Sequence, residues 1–164
     1  MTERKVVSLR KSAALLQEAA EAWCSGRVLE LPSECGAVQV HSQGRWTLVH
    51  QPPSCSAEVA AVMQTFWPGP LCLRLVCDQR RGDWWMPHHP LLRALLEVAG
   101  ELRCDPPGQS GHPVQLRLQW KLPLLPVAYS HLDASSEPWR WLRSGAVERR
   151  AVEWVAARPT LLSE

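Results

Sequence analysis

Between Thr65 and Leu75 the chain reads TFWPGPLCLRL, and no regular element can run through its middle. Pro68 and Pro70 fix φ and lack a backbone N–H, while Gly69 between them is free to adopt φ > 0. One element therefore ends near Phe66 and the next begins at Leu71. Upstream, Val59, Val62, Met63 and Phe66 recur at i, i+3, i+4 and i+7, which predicts a helix from about Ser56 to Phe66 with one buried stripe. Glu58 in its first turn suits the helix dipole. Downstream, only Arg74 interrupts the apolar run Leu71–Cys77, as expected of a central, largely covered strand.

The rest of the chain alternates between the two periods. SAALLQEAAEAWCSG predicts a first helix from Ser12, with Leu16, Ala19, Ala20 and Trp23 on one face and Gly26 as its stop. RVLEL (Arg27–Leu31) reads as a strand ending at Pro32. AVQVH (Ala37–His41) and RWTLVH (Arg45–His50) both alternate, which predicts a hairpin turning at Gly44. DQRRGD reads as a polar loop before a short WWM strand. A helix opens at Pro90, capped by His89 and closed by Gly100. ELRC and Val114–Trp120 read as strands around the loop Asp105–Pro113, and KLPLLP as irregular. WRWL (Trp139–Leu142) is expected as the last strand, and SGAVERRAVEWVAA as the last helix, with Val147, Ala151, Val152 and Val155 inward.

Strands and helices interleave, which predicts an α/β (α+β) fold: one compact domain with a twisted mixed sheet flanked by helices. Residues 12–158 are expected to form it, with 1–11 as a flexible start and 159–164 as a tail. The length of 164 residues is ample for one core. A net charge of +2 gives no bulk drive toward nucleic acid, although the arginine pairs in CDQRRGD and VERRAVEW, beside tryptophan, offer local patches for RNA. No run of about 18 apolar residues is present, so no membrane span is expected. With no apolar leader either, a cytoplasmic location with reduced thiols is expected. The six cysteines and six histidines show no paired ligand spacing, so no metal site is read from the sequence.

Five strings stand in a telling order: RVLELPSE, FWPGPLCLRL, MPHHPLLRALLEVAG, GQSGHP and PWRWLRSGAV. Together they resemble the YrdC-like family of threonylcarbamoyl-adenylate synthases, from about Ser12 to Ala157. FWPGPL is the most specific of them. In such a fold the Pro-Gly-Pro corner would seat a helix against the sheet, with Phe66 and Trp67 wedged into the core. The resemblance implies an enzyme that joins L-threonine, bicarbonate and ATP, with a divalent cation, for tRNA modification.

Carried over by motif, the substrate or nucleotide contacts fall on Ser33, Glu34, Ser110, Ser130 and Arg143. Each has a plainer role beside it. Ser33 and Glu34 can cap a strand end, and Arg143 can pair with a nearby carboxylate. His89 reads as a helix cap. Three departures affect the chemistry. The family's Lys-x-Arg segment has no counterpart in AVQVHSQGRWTLVHQPPS. Trp85 stands where the family places Arg. DPPGQSG replaces Ser-Ala-Asn-x-Ser-Gly, and two prolines remove N–H groups that would cradle an anion. The expectation is a divergent relative that keeps a nucleotide- or RNA-binding cleft with reduced or lost catalysis. The alternatives are an active nucleotidyltransferase and a non-catalytic assembly partner. No catalytic residue is assigned.

Overall fold

The computed structural model describes residues 2–7, 12–109, 111–120 and 125–159. Ten strands form one mixed sheet in the order β1-β8-β2-β3-β7-β4-β6-β5-β9-β10. They are β1 (Glu3–Val7), β2 (Leu29–Ser33), β3 (Gly36–Val40), β4 (Trp46–Val49), β5 (Leu71–Cys77), β6 (Arg80–Trp85), β7 (Glu101–Cys104), β8 (Leu116–Trp120), β9 (Ser130–Asp133) and β10 (Arg140–Arg143). The helices are α1 (Ser12–Cys24), α2 (Ala57–Phe66), α3 (Pro90–Ala99) and α4 (Arg149–Ala156).

Alternation along β5 shows how the two layers form. Leu71, Leu73, Leu75 and Cys77 enter one apolar cluster with Val59, Val62 and Met63 of α2 and Val152 and Val155 of α4. Cys72 enters the other, with Ala19 of α1, Leu92, Leu95 and Leu96 of α3, and Trp85. Successive strand residues face opposite sides, so α2 and α4 cover one face while α1 and α3 cover the other. No helix among the described residues is long and apolar enough to cross a membrane.

The Pro-Gly-Pro corner is held from both sides. The Trp67 indole N–H donates to the Leu71 carbonyl at 2.6 Å, and the Trp85 indole N–H donates to the Gly69 carbonyl at 2.8 Å. A Cβ on Gly69 would lie 2.4 Å from the Phe66 carbonyl oxygen, so only glycine fits. Trp67 is buried and Phe66 half-buried against the α2 side of the core, as the corner's wedge role requires.

Several expectations need correction. β3 and β4 do not form a hairpin, because β7 lies between them and pairs antiparallel with both. Gly44 still turns the chain, its N–H bonded to the His41 carbonyl at 3.0 Å. A Cβ there would approach Cys104 N to 2.4 Å, so the bare glycine lets β7 in. The hairpin is instead β2–β3, and β2 runs through Pro32 to Ser33. β8 pairs with β2 only at Leu29 and Glu30, so at Pro32 that flank has no ladder to break. Arg80–Asp83 is strand rather than loop. Asp78 and Gln79, at φ 50° and 63°, make the two-residue turn into β6. β1 and β9 are strands that the local sequence pattern does not signal. β1 lies in the stretch expected to be flexible and pairs along its length with β8. The last helix starts at Arg149, leaving Val147 in the preceding loop. Most of KLPLLP (121–124) lies outside the described residues.

Candidate functional site

One transverse rung of the sheet carries the charged chemistry. Strand register aligns Cys104, Trp46, Asp83, Arg74, Asp133 and Arg140 as successive neighbours across β7, β4, β6, β5, β9 and β10. Arg74 grips Asp83 with two nitrogens, Nε to Oδ1 at 3.0 Å and Nη2 to Oδ2 at 3.4 Å. His131 Nε2 lies 2.6 Å from the same Oδ1. Asp133 accepts from Arg81 at 3.1 Å, from Arg140 at 3.4 Å, and from the hydroxyl and N–H of Ser135.

These contacts set the ionisation of both carboxyls. Burial pushes Asp83 up, but the hydrogen bonds from His131 and Arg74 outweigh it and hold the group below its ordinary value. For Asp133 burial again opposes ionisation. The Ser135 hydroxyl and N–H, Arg140 and Arg81 overcome it and lower the carboxyl to about 2. Both side chains are therefore anions already surrounded by donors.

Beside the rung is a cleft of about 390 Å³ lined by Arg45, Trp46, Arg74, Asp83, Pro106, Gln109, Tyr129, His131 and Leu142. Trp46 stands edge-on to Tyr129, ring centroids 4.9 Å apart, and to His131 at 5.5 Å. The Arg143 guanidinium lies 3.9 Å above the Tyr129 ring. Arg45 donates to the Gln109 side chain. Among the described residues neither Arg45, which lines the cleft, nor Arg143, which stacks on its Tyr129, is in an ion pair.

The residues named from the sequence divide as follows. The Ser33 hydroxyl donates to the Gly36 carbonyl at 2.6 Å and accepts from Cys35 N at 3.1 Å, tying the β2–β3 turn. Both Glu34 oxygens accept backbone N–H groups, from His88 at 2.9 Å and His89 at 3.1 Å, at the start of α3. His89 caps that helix, its Nδ1 accepting from Leu91 N at 3.2 Å. The Ser130 hydroxyl is buried and exchanges two bonds with Val147, to O at 2.9 Å and from N at 3.1 Å. Ser110 lies outside the described residues. Of the four described, Arg143 is the one that touches a cleft-lining residue, stacking on Tyr129. The sequence reading missed Arg74, Asp83, His131 and Arg140 as a set. A lone arginine in the apolar run of β5 was the available signal.

The divalent cation implied by the resemblance fits poorly in the cleft. Asp83 and Asp133 both have their oxygens engaged by guanidinium, imidazole or serine donors, leaving no open carboxylate for a hard ion. Two clusters of mixed donors do exist among the described residues: Cys72, Asp83 and His131, and, formed by residues that do not themselves line the cleft, His41, Asp105 and His112.

This architecture is that of a YrdC-like α/β domain. Two structures of Sua5 from P. abyssi, a crystal structure complexed with L-threonine and that of an H234A/Y235A variant, superpose with TM-scores of 0.77 and 0.76 at 14% and 15% identity. E. coli YciO superposes with a TM-score of 0.66 at 15% identity. The match covers 94% of this chain but 60% of the Sua5 chain, against 90% and 98% for YciO. No protein-family model and no curated protein sequence matches the chain.

Proposed function

We propose that this YrdC-like domain binds a nucleotide in the cleft beside Tyr129 and has reduced or lost the adenylate-forming reaction. The observation that supports this is the charged rung. Arg74, which lines the cleft, is paired to Asp83, and Arg81 and Arg140 share Asp133, so two of these three positive charges are offset within the chain. Transfer chemistry on a triphosphate needs donors and metal ions aimed at the charge that develops. Here Arg45 and Arg143 remain, enough to attract one phosphate. Trp46 and Tyr129 line the cleft but are 2% and 9% exposed, so they shape its wall and recognition rests on the two cations.

The test is pyrophosphate release from ATP with L-threonine, bicarbonate and magnesium, run beside a thermal-shift scan with nucleotides. The expected result is no threonine-dependent release, together with a nucleotide-dependent shift that Arg143→Ala abolishes. Threonine-dependent release would establish an active synthase instead. Neither release nor shift would leave an assembly role.

A second reading, RNA binding, has its own observation. A groove of about 760 Å³ is lined in part by Arg45, Arg80, Arg81, Arg103 and Trp84. Such a surface would bind RNA through phosphates and stacking, with affinity falling steeply as salt rises.

A further inference from the structure

We propose that His41, Asp105 and His112 form a binding site for a divalent transition metal of the zinc class. Their donor atoms lie within 4.8 Å of one another, though the residues are far apart in sequence. Strand pairing brings the first two together. β3 and β7 run antiparallel, so on either side of the Val40–Cys104 pair His41 lies opposite Arg103 and Asp105 opposite Gln39, and the His41 and Asp105 side chains meet as diagonal neighbours. His41 Nε2 lies 2.8 Å from Asp105 Oδ2, and both side chains are largely buried.

The third donor is positioned by a buried amide. Gln39 is 3% exposed. Its Oε1 accepts from the N–H groups of Gly111 and His112, both at 3.2 Å, and its Nε2 donates to the His112 carbonyl at 3.0 Å. The whole side-chain amide thus fixes the backbone at residue 112. The His112 ring then lies 4.2 Å from that of His41, tilted by 50°. Among the described residues the His112 ring makes no side-chain hydrogen bond, and Asp105 pairs with no arginine or lysine. The Cys72, Asp83 and His131 cluster differs on this second point, because Arg74 already neutralises Asp83.

Two imidazoles and one carboxylate suit zinc, cobalt or nickel. Bonds of about 2.0–2.1 Å in a tetrahedral site place ligand atoms roughly 3.3 Å apart. His41 and Asp105 must separate slightly, and His112, which is exposed, closes inward by rotation. A neutral His41 ring moves its proton from Nε2 to Nδ1, which frees the Nε2 lone pair for the ion. With three protein donors, one position stays open to water. The ion would join the ends of β3 and β7 to His112, and Asp105 adjoins Pro106, which lines the cleft. The site does not depend on the nucleotide reading, and its test needs no nucleotide.

Chelator-treated protein is titrated with cobalt chloride and followed by its visible spectrum, then with zinc chloride and followed by thermal shift. The expected result is one equivalent bound with nitrogen and oxygen donors, without a thiolate charge-transfer band. His112→Ala, an exposed change, should leave the metal-free melting temperature unaltered and weaken cobalt binding about tenfold or more. Unchanged affinity in that variant, a thiolate band pointing to the cysteines, or no spectral change at all would overturn the site.

Discussion

Asp133 is 3% exposed yet ionised, and four donors make that tolerable. Its folded value of about 2 lies below the 3.8 of a free side chain. The sign follows directly: the anion is favoured by folding, so its stabilisation is complete above about pH 4 and is lost as pH falls toward 2. Asp133→Asn should remove that part of the acid limb. Urea denaturation from pH 5 to pH 2 measures it, with the variant's stability falling less steeply than the wild type's in this window. Asp83 also titrates low, so some acid sensitivity remains. At neutral pH the loss should be near the lower end of about 1–3 kcal/mol, because Arg81 and Arg140 are exposed enough to turn to water. Parallel curves for the two proteins would show that Asp133 does not carry this stabilisation.

At the scale of elements, the insertion of β7 between β3 and β4 rests on one small residue. Gly44→Ala drives a Cβ against the Cys104 backbone, which cannot move without shifting its pairing to Trp46. It should cost about 1–3 kcal/mol as overpacking does, read as a lower urea midpoint with an unchanged slope. A wild-type midpoint would mean that the two backbones are not in close contact. The same junction shows where sequence reasoning stops. α2, α3, β5 and β7 were legible because caps, apolar period and the proline corner are local signals. Strand order is not local. AVQVH-SQG-RWTLVH has every mark of a hairpin, and only the tertiary position of β7 breaks it. β6 and β9 were hidden for another reason. Arg80, Arg81, Asp83, His131 and Asp133 look like loop residues until cross-strand partners neutralise them, and those partners are far away in sequence.

For the whole molecule, helices on both faces bury most of the sheet, and the charged members of the rung, Arg74, Asp83, Asp133 and Arg140, lie outside both apolar clusters. Of the residues the motifs single out, Arg143 stacks on the cleft-lining Tyr129, whereas the polar atoms of Ser33, Glu34 and Ser130 are tied within the fold. A spacing pattern shows which residue types are kept, not whether their hydrogen bonds are already made. The central claim is that the cleft offers free charge for one phosphate and no more. Equilibrium titration of ATP against AMP, with magnesium present, tests it most directly. With Arg45 and Arg143 both engaged on one phosphate, two further phosphates would need cations of their own at about 1.5–3 kcal/mol each, which would separate the affinities by roughly a hundredfold or more. The account predicts that ATP and AMP bind within a few-fold of each other, whereas an ATP preference of a hundredfold or more would contradict it.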